Sequence, residues 1–396
     1  MTKIIVQKYG GSSVADSNKI KEIAEKIKKR IIDGNKFVVV VSAMGKSTDN
    51  LINLANEISA KPEPRELDML LTTGEQISVS LLSIALNAID VKSKSLNAFQ
   101  AEIVTTNDFN EARIKNINSS KINDLLNDYD VLTIAGFQGI NEQGDLTTLG
   151  RGGSDTSAVA LAVALQSPCE IYSDVDGIYT CDPRLHPKAK KLKYVTYDEM
   201  LEMASLGAKV LHSRSVEIAK KFGIMIYCAS TFSEKEGSYV MNENIENPVV
   251  TGLSVMDNQM QVTLLRLPKE HTLIHKIFQN VADEGLNVDM ISIIEDDDLN
   301  ISFSIVDDKR ADIESVLHQS LKDLKKWHMS YHPGYCKISI IGVGMRSSSG
   351  VASKFFEALE RVPIKLVTTS EIKISCLVEA TFKMEAVESL TKAFDL

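Results

Sequence analysis

The chain has 396 residues, a formal net charge of −9 and 44% hydrophobic residues. That length exceeds one ordinary core and predicts two or three domains. The acidic balance argues against a general binder of nucleic acid or anionic membrane, a local basic pocket apart, and five cysteines without a C-x-x-C pair argue against a disulfide framework.

The N-terminus, MTKIIVQKYGG, lacks a basic start followed by an apolar signal core. No apolar run approaches the roughly 18 residues that span a bilayer. The expectation is a cytoplasmic protein with no membrane or nucleic-acid partner. Ile4–Gln7 reads as a first short strand, ending in Lys8-Tyr9-Gly10-Gly11-Ser12-Ser13. Asn18–Ile32 places Ile20, Ile23, Ala24, Ile27 and Ile31 on one helical face. Phe37–Val41 is a β-branched run of the kind buried on both faces of a parallel sheet. Glu66–Ala88 predicts a long helix, with Thr72-Thr73-Gly74 as a weak point within it. Val131–Ala135 and Glu170–Ser173 predict further strands, and Leu161–Gln166 the end of a helix between them. This alternation predicts a mostly parallel sheet flanked by helices. Thr196–Phe222 predicts one helical segment, with a capping box at Thr196 and Glu199 and a stop at Gly223.

After Pro248 the units shorten and two related copies follow. The first reads as strand Gln261–Leu267, helix Leu273–Glu284 and strands Val288–Ile294 and Ile301–Val306. The second reads as strand Lys337–Val343, helix Val351–Arg361 and strands Ile364–Thr369 and Ile372–Val378. Each closes in a helix-like tail, an order that predicts tandem ferredoxin-like sandwiches. The expected boundaries are 1–247 for the first domain, 261–332 and 333–396 for the two modules, with strand 249–256 as a possible completion of the second. The acidic run Glu295–Asp298 reads as a solvated hairpin loop.

The segment Leu149–Ala164, LGRGGSDTSAVALAVA, carries the most chemistry. Gly150, Gly152 and Gly153 let a backbone approach a ligand closely. The helix start that follows offers free N–H groups and a positive dipole end to an anion. Arg151 can fork onto a carboxylate or phosphate, and Asp155 can face a cation or a metal. Lys8 and the Gly10-Gly11 pair sit where a parallel sheet presents ligands, although a plain tight turn reads the same way. Ser42-Ala43-Met44-Gly45 ends another strand, and Ser47, Thr48 and Asp49 suit a helix start. Glu75 is either presented to the site by a break in its helix or solvated. Asp174-Val175-Asp176-Gly177 with Asp182-Pro183-Arg184 could hold a nucleotide, whereas an EF-hand is excluded by its missing distal glutamate. Gly45-Lys46-Ser47 lacks the upstream glycine of a Walker loop, and Gly342-Val343-Gly344 lacks the third glycine of a dinucleotide fingerprint. The seven histidines form no metal signature.

Taken in order, Lys8–Ser13, Ser42–Gly45, Gly74-Glu75, Gly136-Phe137-Gln138-Gly139, Arg151–Asp155, Asp174–Tyr179 and Gly207-Ala208-Lys209-Val210-Leu211-His212 resemble the motif series of the aspartate kinases of the amino-acid kinase superfamily. The two C-terminal modules resemble that family's tandem ACT domains, and the length resembles its monofunctional members. The resemblance implies ATP-dependent phosphorylation of the L-aspartate side chain, with Mg²⁺ on the nucleotide. It implies a catalytic pair in Lys8 and Asp155, and aspartate contacts at Ser42, Thr48, Glu75, Arg151 and Ser154. Nucleotide contacts are implied at Lys8, Gly10, Gly11, Ser173, Asp174, Tyr179, Asp182, Pro183, Arg184 and Lys209, and no protein metal ligand is named. An effector amino acid, lysine first and threonine or both second, would use Asn287, Asp289, Ser370 and Glu371. The ACT modules imply a homo-oligomer. Lys269-Glu270-His271-Thr272 and Ser348-Ser349-Gly350 depart from the family's usual proline–glycine loops, which leaves the effector open. The rivals are a superfamily relative acting on another anion and a non-catalytic amino-acid sensor.

Overall fold

The computed structural model describes residues 3–31, 33–208, 210–242 and 248–396, without the side chain of His271. In the first half the chain runs β1 (Ile4–Tyr9), α1 (Ser17–Ile31), β2 (Lys36–Val41), α2 (Ser47–Ile58), α3 (Pro64–Leu71), α4 (Thr73–Asn87), β3 (Ser93–Leu96), α5 (Ala98–Ala101), β4 (Ile103–Thr105), β5 (Ile114–Ile117), α6 (Ser119–Asp128), β6 (Val131–Ala135), β7 (Gln138–Ile140), β8 (Leu146–Thr148), α7 (Gly153–Ala164) and β9 (Cys169–Ser173). It continues through β10 (Ile178–Tyr179), β11 (Lys191–Leu192), β12 (Tyr194–Thr196), α8 (Tyr197–Ser205), α9 (Ser213–Phe222), β13 (Ile226–Ser230) and β14 (Ser238–Met241). The remainder is β15 (Gly252–Leu267), α10 (His271–Asp283), β16 (Asp289–Glu295), β17 (Leu299–Val306), α11 (Arg310–Leu321), β18 (His328–Ile341), α12 (Val351–Ala358), β19 (Ile364–Thr369), β20 (Lys373–Glu379) and α13 (Lys383–Phe394).

These elements cluster into two compact units. One takes the chain to Ile178, Lys191–Ser205 and residues 210–242; the other takes Tyr179–Lys190, Leu206–Ala208 and residues 248–396. The first unit is built on an eight-stranded sheet in the order β12-β14-β13-β9-β1-β2-β6-β3, with a smaller sheet β5-β4-β7-β8 beside it. The central pairings β1–β2, β1–β9, β2–β6 and β3–β6 are parallel. Residues 37–41 are fully buried, as the apolar run requires. Ile5 and Tyr9 of β1 join Ile20, Ile23 and Ile27 of α1 and Val79, Leu82 and Leu86 of α4 in one core. Alternation along the strand therefore turns Lys8 to the opposite face, where α7 packs on β1 and β2.

The predicted helix over Glu66–Ala88 is two helices, α3 and α4, meeting at Thr72. The Thr72 hydroxyl bonds back to the Met69 carbonyl at 3.0 Å, and its own carbonyl accepts from Gln138 at 3.0 Å. Contrary to the sequence expectation, Pro64–Asn87 has the length and mean hydropathy, 24 residues and 1.4, of a membrane span. Asp68 and Glu75 are buried within it, and α4 packs on β3, β6 and α1, so this is a core helix pair. The predicted segment Thr196–Phe222 is also two helices, α8 and α9, because the chain turns at Gly207 with φ +105, beyond the reach of most L-residues. Its capping box is present: Glu199 accepts from the Thr196 N–H, and its own N–H donates to the Thr196 hydroxyl. Gly223 ends α9 with φ 69.

In the second unit both small modules share one antiparallel six-stranded sheet, β16-β17-β15-β18-β20-β19. The Gly252–Met256 half of β15 pairs with Lys337–Ile341, and its Gln259–Leu267 half pairs with β17. Residues Asp296–Asp298 form the β16–β17 turn, closed by a bond from the Asp296 N–H to the Asp298 carbonyl.

Beneath the Lys8 strand lies a charged network. The Arg30 guanidinium forks onto Glu170 at 2.5 and 2.8 Å, and Gln7 and Tyr172 donate to the same carboxylate at 2.8 and 3.0 Å. Burial would push the Glu170 carboxyl up, but Arg30 and these donors outweigh it and hold it below the usual carboxylate range. Glu170→Gln should cost about 2 kcal/mol in the urea unfolding of the first unit at pH 7, discounted for the partial exposure of Arg30. A depressed carboxylate stabilises above its unfolded pKa, so the gap between parent and variant should close as pH falls through that range.

Candidate active site

The carboxyl end of β1 and the first turn of α7 face each other. Lys8 Nζ lies 2.7 Å from an Asp155 carboxylate oxygen, and each side chain is 12% exposed. Asp155 stands in the first turn of α7, where the helix dipole favours a negative charge. The small residues of α7 let it sit tightly on the sheet: Gly153 through Ala162 are all buried. Gly10 lies beside the Lys8 ammonium, and a Cβ there would come within 3.5 Å of Nζ. The Gly10 N–H bonds to the Tyr172 carbonyl, and Gly45 donates to the Gly11 carbonyl at 3.0 Å. A Cβ at Gly11 would lie 2.8 Å from the Ala43 carbonyl, so the Lys8 loop and the loop after β2 close on each other.

A cavity of about 260 Å³ opens at this junction. Lys8, Ser42, Thr48, Glu75, Arg151, Ser154 and Asp155 line it together with Phe137 and Gly150, Gly152 and Gly153. Seven residues singled out in the sequence thus surround one space, although they span positions 8 to 155. Thr48 arrives in the first turn of α2, and Glu75 in the first turn of α4. One Glu75 oxygen accepts from the Ala43 N–H at 3.0 Å, while the other is buried with no hydrogen-bond partner. Burial pushes the Glu75 carboxyl up to about 7, against the pull of its backbone hydrogen bonds. The cavity therefore presents cations in Lys8 and Arg151 and an acceptor aimed at a cationic guest.

Phe137 was quoted in a motif but given no role. Its φ of +68 is uncommon for a bulky residue, and it is tied in place: its N–H donates to the Ser157 hydroxyl at 3.1 Å, and its carbonyl accepts from Leu149 at 2.8 Å. The ring covers Gly153, where a Cβ would meet it at 2.8 Å. His212, the N-cap residue of α9, lies against Gly152, whose Cβ would sit 2.1 Å from the imidazole. Nothing in the local sequence pairs Gly152 with His212, because they are neighbours only in the fold.

Ser173 and Asp174 stand at and just beyond the carboxyl end of β9 in the first unit. Tyr179, Asp182, Pro183 and Arg184 belong to the second unit, where Arg184 forks onto Asp182 with a shortest contact of 2.6 Å. None of these six lines the cavity. Lys209 lies outside the described residues. Asn287 and Asp289 flank the start of β16, and the Asp289 carboxylate is engaged by the buried Lys337 ammonium. Ser370 and Glu371 line a second cavity of about 440 Å³ with Arg346, which pairs with Glu371 at 3.0 Å. Among the described residues no cluster of three or more His, Cys, Asp or Glu side chains could hold a metal ion.

The profile of the amino acid kinase family matches residues 3–230, and an ACT domain profile matches residues 338–394. An aspartokinase of Bacillus sp. (strain MGA3) is 46% identical over 400 residues, covering 99% of this chain and 97% of the relative. An aspartokinase of Geobacillus stearothermophilus is 43% identical with the same coverage. The crystal structure of E. coli aspartokinase III in complex with lysine and aspartate superposes with a TM-score of 0.79 at 25% identity, covering 99% of both chains.

Two outcomes follow from the cavity. The ascending limb of kcat/KM for an ammonium-bearing substrate should lie near pH 7, since Glu75 must be ionised to receive it, and should vanish in Glu75→Gln. Gly152→Ala should lower kcat/KM by about a hundredfold while circular dichroism stays unchanged, because the new methyl meets His212 and φ is +72.

Proposed function

This chain belongs to the amino acid kinase family and is an aspartate kinase, and on that premise we propose that it moves the γ-phosphoryl group of ATP to the side-chain carboxylate of L-aspartate in the Lys8–Asp155 cavity. The observation that carries this reading is the convergence of Lys8, Arg151 and the unpartnered oxygen of Glu75 on one space. Arg151 forks onto the substrate α-carboxylate, and Glu75 receives its ammonium group. Ser42, Thr48 and Ser154 supply neutral hydrogen-bonding groups around the remaining carboxylate.

A carboxylate acceptor, with a pKa near about 4, is already anionic at neutral pH and needs no general base. Its oxygen attacks the γ-phosphorus, the bond to the bridging oxygen breaks and ADP leaves with that electron pair. The protein contributes placement and charge. Lys8 faces the transferring group, Asp155 holds the Lys8 ammonium in place, and the Gly10-Gly11 loop lets the phosphates approach the backbone. Mg²⁺ on the nucleotide would supply further neutralisation of the phosphates. Ser173, Asp174, Tyr179, Asp182, Pro183, Arg184 and Lys209 are the proposed contacts to the rest of ATP.

Residues 1–247 are the proposed catalytic domain, with ACT modules at 261–332 and 333–396. Lysine, or threonine, is the proposed feedback effector, placing the reaction at the entry to the biosynthesis of those amino acids. The crystal structure of E. coli aspartokinase III in complex with lysine and aspartate supports the first choice. At Asp289 the effector's ammonium must share a carboxylate with Lys337. A homo-oligomer through the modules is supported by the edge strand β16, which exposes Ile291, Ile293 and Ile294. A cytoplasmic location is supported by five cysteines that are all free and buried.

ADP release with aspartate, glutamate, acetylglutamate and carbamate, with the acyl phosphate trapped as a hydroxamate, tests the substrate; turnover with another acceptor in preference to aspartate would reject it. Lysine and threonine titrations of the same assay identify the effector. Lys8→Ala should lower kcat by about a thousandfold with the fold intact, and near-normal turnover would remove Lys8 from the mechanism.

A further inference from the structure

The Arg151 turn is built on glycines, closed by a bond from the Gly153 N–H to the Gly150 carbonyl at 3.0 Å. Gly150 and Gly152 adopt φ of +75 and +72, which only the turn's glycines reach without strain, and such residues resist deformation least. An arginine that must fork onto a carboxylate needs its backbone held to a fraction of an ångström. Two charged side chains from separate helices provide that hold.

Asp68 of α3 is completely buried and accepts three hydrogen bonds: from the Thr148 N–H at 2.8 Å, the Thr148 hydroxyl at 2.6 Å and the Asn110 N–H at 2.9 Å. Arg214, in the first turn of α9, donates to the Leu149 carbonyl and to the Ala112 carbonyl, the latter at 2.9 Å. One group accepts and the other donates, yet both grip the same two segments, Thr148-Leu149 and Asn110–Ala112. Those segments are already joined by the Ala112 N–H to the Thr148 carbonyl at 2.9 Å, and Gly150 packs on the Asn110 carbonyl. Among the described residues neither charge forms an ion pair. Burial and the neighbouring Arg113 pull the Arg214 pKa down, with Glu111 and Glu217 acting in the other direction. A half-buried charge spent on backbone carbonyls rather than on a counter-ion is costly unless the fixed geometry is used.

We propose that Asp68 and Arg214 are positioning residues that clamp the Arg151 turn, and that through it they set the affinity for the amino-acid substrate. This inference rests on the reading that Arg151 binds the substrate α-carboxylate.

The test uses the full chain and initial rates with each substrate varied at saturation of the other. Arg214→Gln should raise KM for aspartate about tenfold or more, with KM for ATP within about twofold and a melting temperature close to the parent's. Arg214→Lys keeps the charge but loses the fork and should fall between the two. Asp68→Asn approaches the same turn from the other side and should shift the same constant if an Arg214 variant folds poorly. In an Arg151→Ala background, adding Arg214→Gln should change KM for aspartate by less than about twofold, since the residue acted upon is gone. Equal changes in both KM values, or full additivity with Arg151→Ala, would overturn the clamp and leave a merely structural role. Should Arg151→Ala itself leave KM for aspartate unchanged, the reading of the turn fails first, and the clamp falls with it for that identifiable reason.

Discussion

The pairing of Lys8 with Asp155 locates everything else in the cavity of the first unit. It joins the end of a central strand to the opening turn of a helix made of small residues. Both charges are nearly buried, so each depends on the other for its solvation. Because Lys8 is fixed on β1, the register of β1 against β2 and β9 fixes the cavity. The Arg30–Glu170 network on the reverse face of β1 holds that register from beneath.

Charge in the interior is used in three distinct ways. Lys8 and Asp155 neutralise one another as an ion pair. Asp68 and Arg214 are satisfied by backbone groups and the Thr148 hydroxyl, and fasten loops. Glu75 is left with one oxygen unsatisfied, and its raised pKa records that cost. The unsatisfied group lines the cavity, which is where stored electrostatic cost can be returned when a ligand arrives.

Much of the architecture was legible because it rests on local pattern. The run Phe37–Val41 could be little else than a buried parallel strand, and the repeated order of strands and helices after Pro248 disclosed two like modules. The cavity residues were legible only as a series of spaced motifs, whose members lie on β1, α2, α4 and α7 and on the loops after β2 and before α7. The helix breaks at Thr72 and between α8 and α9 were harder to read. Thr72-Thr73-Gly74 showed only as a weak point, and the turn between α8 and α9 rests on the backbone freedom of Gly207, with φ of +105. Asp68, Arg214 and the seating of His212 on Gly152 left no local signature at all. Their partners are backbone atoms, one threonine hydroxyl or a glycine, 42 to 102 residues away for the two charged groups. Asp289 was expected to meet an effector's ammonium group, whereas its engagement by Lys337 depends on how β16 and β18 fold into one sheet.

The strand β15 has a consequence for how the second unit comes apart. Its 16 residues serve one module with their first half and the other with their second, and β18 does the same in the opposite direction. Neither module can fray without stripping the hydrogen-bond ladder from its twin. The two modules should therefore melt as a single cooperative block, and thermal agitation in one is felt immediately as loosened backbone in the other.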